Sequence, residues 1–231
     1  MRLIPSLALS TTIIALSSIA PGVAAAEEGG NPLVLPEPTA LAPLKFTTTT
    51  TAAVSIEGAG TGVLECTSGS SQGEFTSKRL GVITMDFKGC AWKNLKCTSK
   101  GSPGGVILFS KAKLHLVALK VGEGLRAALV ITLPNPLSIE GCWLGAEFRG
   151  SLIGLIDGVT NGKETKSFTL LFHRTSAKQE LKECDLDKEF CLTGEAHKKF
   201  LLETFFGFEW VEMGVERQDS GTLEKAAIFD F

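Results

Sequence analysis

The residues best suited to chemistry are six cysteines: Cys66, Cys90, Cys97, Cys142, Cys184 and Cys191. In an exported chain an even set of thiols reads as disulfides, because the exterior lacks the reductants of the cytosol. Two C-x6-C spacings, Cys90/Cys97 and Cys184/Cys191, predict short local loops. Cys66 and Cys142 are then left as a long-range tie. A metal centre would need other spacings: no C-x-x-C occurs, and the nearest histidine, His197, stands six residues after Cys191.

The three histidines are isolated. His115 alternates with Leu114 and Leu116 and is expected on a solvent or rim face; His173 ends an apolar run, and His197 lies in a loop. None has metal-ligand spacing. Ser151 sits in Gly150-Ser151-Leu152-Ile153-Gly154, which is G-S-x-x-G rather than the G-x-S-x-G of a hydrolase elbow. Asp185, Asp187 and Glu189 imitate half of a calcium loop without its glycine or distal glutamate, so solvated charge is the better account. Carboxylate pairs for glycoside chemistry meet in space rather than in sequence, and 25 acidic residues offer no basis for choosing one. Catalytic, cofactor-binding and metal-binding residues are therefore assigned as none.

The elements that would position these side chains begin after a leader. Arg2, the apolar run Leu7 to Ala20, the breakers Pro21-Gly22 and the small residues Ala24-Ala25-Ala26 have the order of a secretory signal peptide. The run is shorter than the ~20 apolar residues of a membrane span, so residues 1–26 are expected to be cleaved before Glu27. Residues 27–43 carry Pro32, Pro36, Pro38 and Pro43 and read as an extended leader. Residues 44–231 read as one disulfide-containing β domain. Short β-prone runs alternate there with Gly, Ser, Asn or Pro breaks; Val82 to Phe87 shows a clean period of two. Ser176 to Glu189 is polar on every side and reads as a loop or short exposed helix. Phe200 to Met213, the most apolar stretch, reads as strand. Trp92, Trp143 and Trp210 are expected to fill the core. The fold expected is all-β, a single antiparallel barrel, with a sandwich as the alternative.

With 23 basic and 25 acidic residues and no basic block, nucleic acid is excluded as a partner. No later stretch is long and apolar enough to cross a membrane as a helix. The expected function is a non-catalytic module, secreted and extracytoplasmic or held at the cell surface. Envelope glycan, lipid or protein are its candidate partners, and it is assigned no cofactor. An exported hydrolase or isomerase using carboxylates is the second reading. A third, an outer-membrane barrel, is suggested by the alternating, aromatic end Ala227-Ile228-Phe229-Asp230-Phe231. The absence of tyrosine opposes it, since such barrels carry Tyr and Trp girdles.

Several segments in order also resemble a known group. They are Leu64-Glu65-Cys66, Ser71-Gln72-Gly73-Glu74-Phe75, Asp86-Phe87-Lys88-Gly89-Cys90, Cys97-Thr98-Ser99-Lys100-Gly101, Gly150 to Gly154, Phe168 to Phe172 and Thr222 to Ala226. Together they are similar to uncharacterised exported proteins expanded as paralogues in actinobacteria. The resemblance runs from about Phe46 to the end and carries over no site residue. The Cys184/Cys191 segment departs from the shared pattern.

Overall fold

Side-chain alternation organises the chain. In strand β1 (Leu44–Thr50), Leu44, Phe46 and Thr48 are buried while Lys45, Thr47 and Thr49 are exposed, and its β-branched threonines suit a pleated, half-buried surface. The same two-residue period recurs in β2 (Val54–Gly58), β4 (Ser68–Phe75) and β5 (Leu80–Lys88). The computed structural model describes residues 37–38, 43–121, 124–142, 147–181, 183–184, 189–190 and 198–230. The expected leader 1–26, most of 27–43, the turn at Gly122-Glu123, Trp143, His197, Asp185, Asp187 and Cys191 lie outside the described residues.

The other main strands are β3 (Gly62–Cys66), β6 (Val106–Val121), β7 (Gly124–Thr132), β8 (Leu137–Glu140), β9 (Glu147–Asp157), β10 (Glu164–Phe172), β11 (Leu202–Phe206) and β12 (Glu209–Asp230). The described residues contain no helix. All pairings are antiparallel. One set runs β1–β4–β5–β6–β7–β9–β10–β12, and β12 also pairs with β1. A second set uses the first halves of the long strands: β12 pairs with β2 and β11, β11 with β9, β9 with β8, and β2 with β3. β9 passes from the second set to the first at Gly150. There φ is +100°, and an added Cβ would strike the Leu201 carbonyl oxygen. Only glycine tolerates that combination.

The core holds Leu44, Phe46, Ile83, Phe87, Leu114, Leu129, Ile156, Leu170 and Phe172, among others. Phenylalanine rings lie over inward-facing glycines. Phe87 covers Gly69, Phe46 covers Gly73, Phe172 covers Gly154 and Phe168 covers Gly221, leaving no room for a Cβ. This exchange of ring for missing side chain explains how a chain with 25 Gly and 14 Phe fills its interior. On the opposite face of β6, β7 and β9, Val117, Leu119, Ala128, Val130 and Ile153 are buried together with Phe200. These three strands are thus covered on both faces, which is why Leu114 to Leu119 reads as almost continuously apolar.

Several expectations are corrected. The runs at Val106 and Leu114 are one 16-residue strand, with a register shift between Phe109 and Ala112 and Lys111 at φ +53°. Ser68–Phe75, too rich in Ser and Gly to stand out, is a full strand because both neighbours supply its ladder. Phe200 to Met213 is a hairpin, not one strand. Within Ser176–Glu189 the described residues form strand pairings, Arg174–Thr175 with Lys178–Gln179 and Glu183–Cys184 with Lys198–Lys199, and no helix.

The disulfides differ most. Cys66 is bonded to Cys90 and Cys97 to Cys142, in place of the expected Cys90–Cys97 and Cys66–Cys142. Cys90 and Cys97 are opposite one another in a tight hairpin, the Cys97 amide donating to the Cys90 carbonyl, and its turn residues Lys93 and Asn94 both have positive φ. Each cysteine then bonds to the strand on its outer side. Leu64 pairs with Trp92 and Glu65 with Ala91, a register that brings Cys66 to Cys90. Ile139 pairs with Ser99 and Glu140 with Thr98, which brings Cys142 to Cys97. The expected Cys184–Cys191 bond lies outside the described residues.

Candidate functional site

Three hairpin tips surround an apolar cleft at the end of the second strand set. β2 and β3 supply the tip at Gly58–Gly62, the disulfide-stapled hairpin supplies Trp92, and the β11–β12 hairpin supplies Phe206. Ile56, Leu64, Phe148 and Met213 form the wall, and Ile139 and Cys142 close the side beneath the Cys97–Cys142 bond. The space open to a water-sized sphere is about 40 Å³. That holds a few waters or the end of an apolar group, not a drug-sized molecule.

Local chemistry keeps the cleft apolar. The Trp92 indole donates to the Thr61 carbonyl at 2.9 Å, which fixes the ring at the cleft wall. The Lys93 ammonium lies 4.5 Å from that ring's centroid, a cation–π contact that turns the charge outward. The Thr61 hydroxyl is engaged with the carbonyls of Gly58 and Gly62. Gly62, at φ +86°, is where a Cβ would press on the Trp92 nitrogen. On the far side Arg149 stacks 3.7 Å over Trp210 and its Nε donates to Glu203 at 2.9 Å. Among the described residues, the lining contains no carboxylate, histidine, lysine or arginine.

The residues weighed in the sequence lie elsewhere. His115 is half-buried on β6 beside buried Leu114 and Leu116. The Ser151 hydroxyl shares a 2.8 Å hydrogen bond with that of Thr132 across β7 and β9. His173 Nδ1 lies 3.0 Å from Glu216. Glu57 and Glu216 do converge, but on Arg174. Its backbone amide donates to Glu216 at 3.1 Å and its guanidinium bonds Glu57. Both carboxylates are therefore used as acceptors in a clamp that ties the 174–179 hairpin to β2 and β12.

The strongest electrostatic feature was not anticipated. Arg217 and Asp219, on one face of β12, have side chains only 2 % and 0 % exposed. The guanidinium bonds both Asp219 oxygens and donates to Ser71 Oγ at 2.7 Å; Thr48 Oγ1 donates to Asp219 at 2.7 Å. The Phe87 ring lies 4.7 Å away. Burial holds the Arg217 guanidinium below its usual range, and Asp219 partly offsets this. The group is closed and satisfied, a fastening within the core. The only advance signal was Arg217 and Asp219 at i and i+2 in a strand whose other inward residues are apolar.

Two wider depressions, of about 390 and 270 Å³, are open to solvent. The first is lined by Lys45, Gln72, Glu74 and Thr84, the second by Ser99, Lys100, Ser102 and Asn135 among others. Phe206 and Phe208, read from the sequence as part of an undivided strand, are instead at a hairpin end. Trp92, expected in the core, is half-buried: it packs against the core and also lines the cleft.

Compared with protein-family models, curated proteins and solved structures, the chain matches none.

Proposed function

We propose that this protein is an exported, non-catalytic binding module: a single antiparallel barrel whose apolar end cleft receives an apolar group of its ligand. The observation that carries the reading is the cleft itself, walled by Trp92, Phe148, Phe206 and aliphatic side chains. An apolar, partly pre-formed recess suits hydrocarbon far better than a sugar, whose hydroxyls would lose water without gaining partners. Closure as a barrel is supported by the run of pairings that returns from β12 to β1. Action outside the cytosol is supported by the signal-like order of residues 1–26 and by two disulfides. The resemblance to exported actinobacterial proteins belongs to the same reading: three of its cysteines, Cys66, Cys90 and Cys97, staple the hairpin that carries Trp92.

The carboxylate-enzyme alternative has no support in the cleft lining. The membrane-barrel alternative requires an outward apolar band. Here the outward positions of β1, β4 and β12 include Lys45, Thr47, Thr49, Ser70, Gln72, Ser220, Thr222 and Glu224, all polar and exposed, which leaves no continuous apolar band across these strands.

The test is titration of the processed protein with a fluorescent polyunsaturated fatty acid, beside a soluble oligosaccharide. Saturable binding of the fatty acid is expected, weakened about tenfold or more by Leu64→Phe, which fills the recess. Binding that ignores Leu64→Phe, or no saturable binding, would overturn the proposal. The thermal transition of the variant establishes that it is folded.

A further inference from the structure

We infer that the rim of this cleft docks on a phospholipid surface, with Phe208 entering the acyl boundary. The inference rests on the cleft being a site for apolar groups and adds the source of that group.

The rim is uneven. The Ala59 amide donates to the Glu212 carbonyl, and Gly58 is opposite Met213. β2 therefore ends level with Glu212, while the β11–β12 hairpin continues to the pair Phe206–Glu209. Three further residues at ~3.3 Å each make a finger projecting about 10 Å beyond its neighbour. Its apolar residues are Phe205, Phe206, Phe208, Trp210 and Val211. Phe208 is 100 % exposed at the turn after Gly207, which has φ +66°. A phenyl ring held wholly in water on a stiff two-residue turn gives up the hydrophobic gain that the packed rings of this core obtain.

Charge identifies the surface it meets. The neighbouring tip is Lys93-Asn94-Leu95-Lys96, with Leu95 50 % exposed between two exposed lysines. Neither lysine has an ion-pair partner among the described residues. Aromatic and aliphatic tips beside exposed lysines, one of them held over the Trp92 ring, suit an interface of acyl chains and anionic headgroups. Glu209, next to Phe208, limits entry to the headgroup boundary, ~5–10 Å deep.

The experiment is flotation of the processed protein with vesicles of phosphatidylcholine, with and without phosphatidylglycerol, together with tryptophan quenching by brominated acyl chains. Binding to both is expected, tighter with phosphatidylglycerol. Phe208→Ser should weaken it about tenfold, and Phe208→Trp should retain it. Lys96→Ala should weaken only the phosphatidylglycerol component, about fivefold. Vesicle binding unchanged by Phe208→Ser overturns the inference. So does no vesicle binding alongside intact fatty-acid binding, an outcome that leaves the cleft reading standing. A concentration-dependent dimer abolished by Phe208→Ser would make a second copy the occupant and overturn it as well. Loss of fatty-acid binding together with retained Phe208-dependent flotation would instead refute the cleft reading and sever the inference from it.

Discussion

Removing the Asp219 carboxylate should cost more than any other single truncation in the core. Asp219→Ala strands a guanidinium that is 2 % exposed, between Ser71 and the Phe87 ring. Arginine cannot shed its charge at neutral pH. Breaking a buried pair in this way costs about 3–5 kcal/mol, which for a chain of this size lowers the midpoint by roughly 6–20 °C. Arg217→Met should cost less, because the carboxylate left behind keeps the Thr48 hydroxyl and can take up a proton. Replacing the pair together as Arg217→Met with Asp219→Val should recover part of the loss. Adding Thr48→Val and Ser71→Ala should recover most of the rest, since it removes two hydroxyls otherwise left unpaired at about 1–3 kcal/mol each. Urea unfolding of the oxidised protein, followed by fluorescence and circular dichroism, measures each step with the slope held constant. If Asp219→Ala lost under about 1 kcal/mol, or Arg217→Met lost more than Asp219→Ala, the account of a sealed ion pair would be wrong.

Non-reducing peptide mapping should join Cys66 to Cys90 and Cys97 to Cys142. Loop closure over separations of 24 and 45 residues makes these bonds worth roughly 3.5 and 4 kcal/mol, so Cys97→Ser with Cys142→Ser should be slightly the more costly double change. Gly150→Ala should lose about 1–3 kcal/mol from backbone conformation alone, and more from collision with Leu201, measured by the same unfolding. Phe208→Ser should stay within about 0.5 kcal/mol of the parent, because the ring touches solvent only. Mass spectrometry of protein recovered after export should find Glu27 at the N-terminus, and an intact Met1 would refute the leader.

The sequence by itself determined the class of structure. Alternation in Val82 to Phe87 and Leu114 to Leu116 assigned inward and outward faces that the burial of Ile83, Met85, Phe87, Leu114 and Leu116 repeats, because a strand's two faces are encoded within two residues. It also marked Cys66, Cys90, Cys97 and Cys142 as bonded. Which cysteine meets which was decided only by strand register. Cys90 and Cys97 are close in sequence, yet each bonds to the strand outside their hairpin, so six intervening residues misled. The Arg217–Asp219 fastening needs Thr48, 171 residues before Asp219, and Ser71, 146 before Arg217. The cleft likewise gathers Ile56, Trp92, Phe148 and Phe206 from four separate stretches. Local pattern says which way a side chain points. What it points at depends on neighbours brought together by the ladder of hydrogen bonds, and that ladder pairs strands far apart in the chain.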